Sequence, residues 1–153
     1  MMQPEYSSYA QELRAGHAII AQTVGDSMQP LLRQGKTQVV LVPLNGPLKK
    51  GDLPLYQRPN GKYVLHRVVD VRQGVYYTRG DNRFGEERVE PEWMLGVTQA
   101  VIRGGKTIPV TDLAYQRYVS FWLGSYPLRH FADRVRRLPE ILSRVLGRGK
   151  APR

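Results

Sequence analysis

The chain has no cysteine among its 153 residues. Disulfides, thiolate nucleophiles and cysteine-ligated zinc are therefore excluded, and the redox compartment is left open. Acids are scarce as well: 13 Asp and Glu stand against 23 Lys and Arg, a formal net charge of +10. The imbalance is uneven, because residues 112–153 carry nine basic side chains against three acidic ones. Such a tail attracts polyanions, whether phospholipid headgroups or nucleic acid, although a solvated basic surface has the same composition. No groove-reading motif or RNA-binding aromatic signature accompanies the charge, so no specific nucleic-acid partner is expected. Nor does any run approach the roughly 18–20 apolar residues that a membrane-spanning helix needs. Residues 1–13 are polar and acidic, unlike the charged-then-apolar pattern of a signal sequence. The expectation is a chain that is cytoplasmic or peripheral to a membrane rather than integral to one.

What remains is enough for one domain with an appended element, burying about two-thirds of its unfolded surface. Residues 1–15 permit a short helix. From 17 to 24 the chain becomes β-branched and apolar, and predicts a strand ending at the turn formers Gly25 and Asp26. Residues 28–33 predict a short helix capped by Asp26 or Ser27, with Pro30 in its first turn. Further strands are expected over 36–42, 52–57, 62–71, 75–78 and 94–103, separated by Pro, Gly and Asn. Within 62–71, alternation puts Val64, His66 and Val68 on one face and Tyr63, Leu65, Arg67 and Val69 on the other. After Gly104-Gly105 the period becomes 3.6, predicting helices broken near Pro127 and Pro139. The expected division is an N-terminal extension over 1–15, a β domain over 16–108 and a basic helical tail over 109–153.

Three segments carry chemistry: Gly25-Asp26-Ser27-Met28-Gln29-Pro30, the strand bearing His66-Arg67-Val68, and Gly80-Asp81-Asn82. A serine hydroxyl is a poor nucleophile at neutral pH without a nearby proton acceptor, and that acceptor works best when a third group orients it. Neutral imidazole, with an ordinary pKa near 6.5, suits the task; lysine would need a shift of roughly three units. Taken singly, Gly-Asp-Ser is an ordinary turn, a strand histidine an ordinary core residue and Gly-Asp-Asn an ordinary loop. His17 and His130 are the rival bases.

In order and spacing the three segments resemble the signal peptidase branch of the LexA/signal-peptidase superfamily of serine peptidases, over about residues 23–106. The match is to a nucleophile box in which serine precedes methionine and proline follows two positions later, to a Gly-Asp strand start at Gly51-Asp52, and to a Gly-Asp-Asn box. Common bacterial members have lysine where His66 stands, and histidine there resembles the endoplasmic-reticulum and archaeal type. Glu86-Glu87-Arg88 stands at the offset where that type carries paired acids and an arginine.

The resemblance implies a mainly β, coiled-sheet domain of the LexA/signal-peptidase type with a C-terminal helical extension. It also implies a serine endopeptidase that needs no metal or cofactor and cuts a leader or precursor peptide presented as an added strand. Ser27 takes the nucleophile's place and His66 the base's. Asp81 is the expected orienting acid, with Glu86 and Glu87 open as alternatives. Gly25 stands where many relatives place an oxyanion-hole hydroxyl; Thr23 is a replacement donor, and Met28 supports the turn.

Two other readings share the fold: a non-catalytic peptide-binding module and a LexA-like regulator that cleaves itself. No helix-turn-helix precedes Gly25, and the lysine base of such regulators is missing. In the tail, Leu128, Phe131, Val135 and Leu138 align on one helix face with Arg129, Arg134, Arg136 and Arg137 around it, which suits a membrane surface. Trp122, Tyr118 and Tyr126 would suit the headgroup region, and packing of the helix on its own domain is the alternative.

Overall fold

The computed structural model describes residues 4–147, so the outermost parts of the N-terminal extension and of the basic tail, residues 1–3 and 148–153, lie outside the described residues. The fold mixes α and β. Helix α1 (Pro4–Arg14) leads into β1 (Ile19–Gln22), β2 (Thr37–Pro43), β3 (Pro54–Gln57), β4 (Tyr63–Leu65), β5 (Arg67–Arg72), β6 (Val75–Arg79), β7 (Glu87–Val89), β8 (Met94–Arg103) and β9 (Lys106–Pro109). Two helices follow, α2 (Leu113–Gly124) and α3 (Tyr126–Gly147).

The larger sheet is antiparallel, in the order β1-β2-β8-β3-β4, with β9 paired to β8. Its centre is β8, whose residues are mostly buried. The ladder slips by one residue at Val40/Leu41 against β8 and again at Leu55/Tyr56. Each such bulge bends its strand and adds twist, and the sheet curls into a half-barrel whose two edge strands, β1 and β4, line one cavity. The smaller sheet is β5-β6-β7. One apolar cluster, including Leu13, Val39, Leu41, Leu55 and Val101, fills the half-barrel under α1; a second, around Tyr56, Val68, Tyr76 and Val89, lies by the smaller sheet.

The strand expected over 62–71 is divided. Residues 63–65 pair with β3 in the larger sheet, and residues 67–72 pair with β6 in the smaller one. His66 stands between them, in neither ladder. The alternation itself is kept in packing: Tyr63 and Leu65 lie against the first cluster, Val64 and Val68 against the second. Backbone pairing changes partner instead, with Val68 N donating to Asp52 O and Gly51 N to Val68 O, both at 2.8 Å. Side-chain periodicity is blind to such an exchange.

The helix expected over 28–33 is also corrected. That segment is a run of turns, with Gln29 N donating to Asp26 O and Leu32 N to Met28 O, too few bonds to propagate a helix. Strands β7 and β9, of three and four residues, were not expected. In the tail, Asp112 caps α2 by accepting from Ala114 N and Tyr115 N. The chain breaks at Ser125, just before Pro127, but α3 runs on through Pro139. A proline inside a helix removes one backbone bond, and the helix continues across that gap.

Candidate active site

Ser27 and His66, 39 residues apart, meet at one end of the half-barrel: His66 Nε2 lies 3.1 Å from Ser27 Oγ. Each is delivered by a break in regular structure. Strand β1 ends at Gln22, and Gly25, at φ +82°, makes the left-handed turn that a residue with a side chain would resist. His66 is placed by the handover between the two sheets. Both residues are half-buried, and both line a cavity of about 540 Å3 bounded by residues 21–25 and 60–66 and floored by Leu32, Val39, Leu41 and Leu55.

Burial dominates the electrostatics of His66. It lowers the imidazole pKa from 6.5 to about 4; Glu87 and Asp81 pull it up and Arg58 and Arg83 push it down, without reversing the effect. The ring is thus neutral at pH 7 and able to accept a proton from Ser27. Edge-to-face contact with Tyr56, centroids 6.5 Å apart, packs against the ring.

The orienting role expected of Asp81 is not what the geometry gives it. Among the described residues, the one hydrogen bond of His66 is that to Ser27, and Asp81 is bound elsewhere. Its two oxygens accept from Arg67 Nε and Nη2, each at 2.8 Å, in an ion pair whose side chains are 1% and 2% exposed. Tyr118 OH also donates to Asp81, at 2.8 Å, and Trp122 Nε1 donates to its carbonyl at 2.6 Å. The physical reason is competition: a guanidinium fork matches both carboxylate oxygens at once, which an imidazole N–H does not.

Asp81 therefore acts on the Ser27 side of the pair. Its amide donates to Met28 Sδ at 3.3 Å, Asn82 N donates to Ser27 O at 2.8 Å, and Arg83 bridges to Asp26 at 2.6 Å. Gly80 packs so closely under Ser27 that a Cβ there would lie 2.6 Å from Ser27 O. The Gly-Asp-Asn segment is a clamp on the serine turn. Met28, buried behind it, is part of that clamp.

Neither glutamate bonds to His66. Glu86 is half-exposed and reaches Arg72 and Arg79 at 3.5 and 3.7 Å. Glu87 takes two bonds of 2.6 Å from Arg58 and one of 2.7 Å from Tyr56 OH. Burial opposes its charge, but those donors prevail and hold the carboxyl below its ordinary pKa. It is nevertheless the strongest attractive charge felt by His66. Thr23 is corrected as a spare oxyanion donor: its hydroxyl donates to Thr37 O at 2.9 Å. The Gly25 amide is bound to Gln34 Oε1, whereas the Ser27 amide donates to no other described residue. His17 pairs with Glu12, and His130 stacks between Phe84 and Tyr126, so neither rival base reaches Ser27.

Sequence reasoning did not place Tyr56, Arg58, Arg67, Tyr118 or Trp122 at the site. The last two lie four apart on α2, a spacing that puts them on one face, yet nothing in the residues themselves says that this face meets Asp81. Comparison of the chain with protein-family models, with curated proteins and with solved structures returned no match.

Proposed function

We propose that this chain is a serine endopeptidase of the signal-peptidase type, built on a LexA/signal-peptidase-like fold, with Ser27 as nucleophile and His66 as general base. The observation that carries the reading is the 3.1 Å approach of His66 Nε2 to Ser27 Oγ at the mouth of a cavity lined by the outer strands β1 and β4 of the larger sheet. An extended peptide lies along the cavity between β1 and β4 as an added strand. Ser27 Oγ attacks the scissile carbonyl carbon while His66 takes the hydroxyl proton. The oxyanion accepts from the Ser27 amide. The C–N bond then breaks as His66 returns the proton to the leaving amine, and water, activated by the same imidazole, releases the acyl group. With no carboxylate on the far ring nitrogen, the pair works as a dyad, its ring held by packing.

A peptide-binding module without turnover is the second reading, supported by the engagement of both Thr23 and Gly25 away from the oxyanion position. Incubating wild type and Ser27→Ala with a mixed peptide pool and locating cuts by mass separates the two. Cuts that vanish in Ser27→Ala support the peptidase. Peptides retained intact and equally by both proteins support the binding module.

A further inference from the structure

Helix α3 is amphipathic the wrong way round for a helix packed on its own domain. At 3.6 residues per turn, Leu128, Phe131, Val135, Leu138, Ile141 and Leu142 fall within an arc of about 140°. Every one of them is exposed, Leu128 at 71% and Phe131 at 65%. The contacts that fasten the helix come from outside that arc: Tyr126 OH donates to Phe84 O at 2.6 Å, Arg129 reaches Asp81 O and Trp122 O, and His130 stacks on Phe84. Polar and aromatic groups thus face the protein, and the apolar stripe faces outward. The headgroup role expected of Tyr118, Trp122 and Tyr126 is corrected by the same contacts, since all three hydrogen-bond into the domain.

Charge selects what covers the stripe. Arg134 lies within the apolar arc and is exposed, where its long side chain can lay its stem on an apolar surface and extend its guanidinium group outward; Arg137, beside the arc, is ion-paired with Asp133 at 2.8 Å. The two acids of the helix, Asp133 and Glu140, fall about opposite the centre of the arc on the same helical geometry. A second copy of this chain would bring Arg134 toward its own image. An anionic surface neutralises it. Among the described residues no helix is long and apolar enough to cross a membrane, and α3, at 22 residues, is about 33 Å long and suited to lying flat. We infer that the outward face of α3 docks the protein on an anionic lipid bilayer, with Leu128, Phe131, Val135, Leu138 and Leu142 in the acyl boundary and Arg134 at the phosphates.

The test is co-sedimentation of the full chain, carrying Ser27→Ala so that no turnover intervenes, with vesicles of phosphatidylcholine alone or of equal parts phosphatidylcholine and phosphatidylglycerol. Expected is binding to the anionic vesicles at least tenfold tighter than to the neutral ones. It should fall about fivefold in Arg134→Gln and be lost in Phe131→Glu/Leu138→Glu, whose melting temperature should not change. Equal binding to both vesicle types, no binding to either, or anionic binding unaffected by Phe131→Glu/Leu138→Glu would overturn the inference. So would concentration-dependent self-association, without vesicles, that the same glutamate substitutions abolish, because a second copy would then be the occupant.

Discussion

The fate of single side chains here is decided by what competes for them. His66 is buried enough for its pKa to fall to about 4, so the acid limb of kcat/KM on a cleaved peptide should have its midpoint near pH 4, with activity flat from about pH 5 to neutrality. A midpoint near 6.5, the ordinary imidazole value, would mean that the free enzyme solvates the ring. Asp81 is the opposite case, an ion whose partner is buried with it. Asp81→Asn leaves the Arg67 charge unpaired and should cost about 3–5 kcal/mol in denaturant unfolding. Unchanged stability with a loss of activity near 10⁴-fold would instead mark Asp81 as the orienting acid. That Ser27 and His66 meet was legible in the sequence because their segments occur together in the order and spacing of a nucleophile and its base, although each taken singly is an ordinary turn or strand residue. The partner of Asp81 was not, because Asp81 is within reach of several cations once folded and only three-dimensional geometry chooses Arg67.

At the level of strands and loops, function depends on interruptions. His66 gains its position where β4 hands over to β5, and Ser27 where β1 yields to a turn held from below by residues 80–82. Gly80 is the most exacting contact in that clamp. Gly80→Ala would place a methyl group 2.6 Å from Ser27 O and push Ser27 away from His66; kcat/KM should drop on the order of 100-fold while the circular dichroism of the folded protein is kept. Unaltered kinetics would show that the turn relaxes without moving Oγ. Five of the strands were legible as apolar runs between turn residues, and 94–103 was legible to the residue. The division at residue 66 was not, since both halves keep one alternation, and β7 and β9 are too short to show a period at all. The proline at 139 misled for a related reason: one missing hydrogen bond is a local cost that a 22-residue helix absorbs.

Taken whole, the molecule is a half-barrel under α1 whose outer strands β1 and β4 line the cavity that holds Ser27 and His66. The burial of His66 ties pH to folding. His66 has its pKa lowered on folding, so between about pH 6.5 and 4 the unfolded chain takes up a proton that the folded one refuses, and stability falls as pH drops through that window. The loss should total on the order of 3 kcal/mol, and His66→Gln should flatten that part of the profile; the same slope in His66→Gln would assign it to other groups. The charge-rich tail was readable as amphipathic from its spacing, whereas which side meets the protein depends on Tyr126, Arg129 and His130 finding Phe84 and Asp81. Whether Ser27 and His66 operate as one unit is settled most directly by kcat/KM for Ser27→Ala, His66→Ala and the double variant on one peptide. Each single change should lower the rate by about 10⁴-fold or more, with the double variant no worse than either. His66→Ala within tenfold of wild type, or losses that multiply in the double variant, would contradict a shared catalytic step.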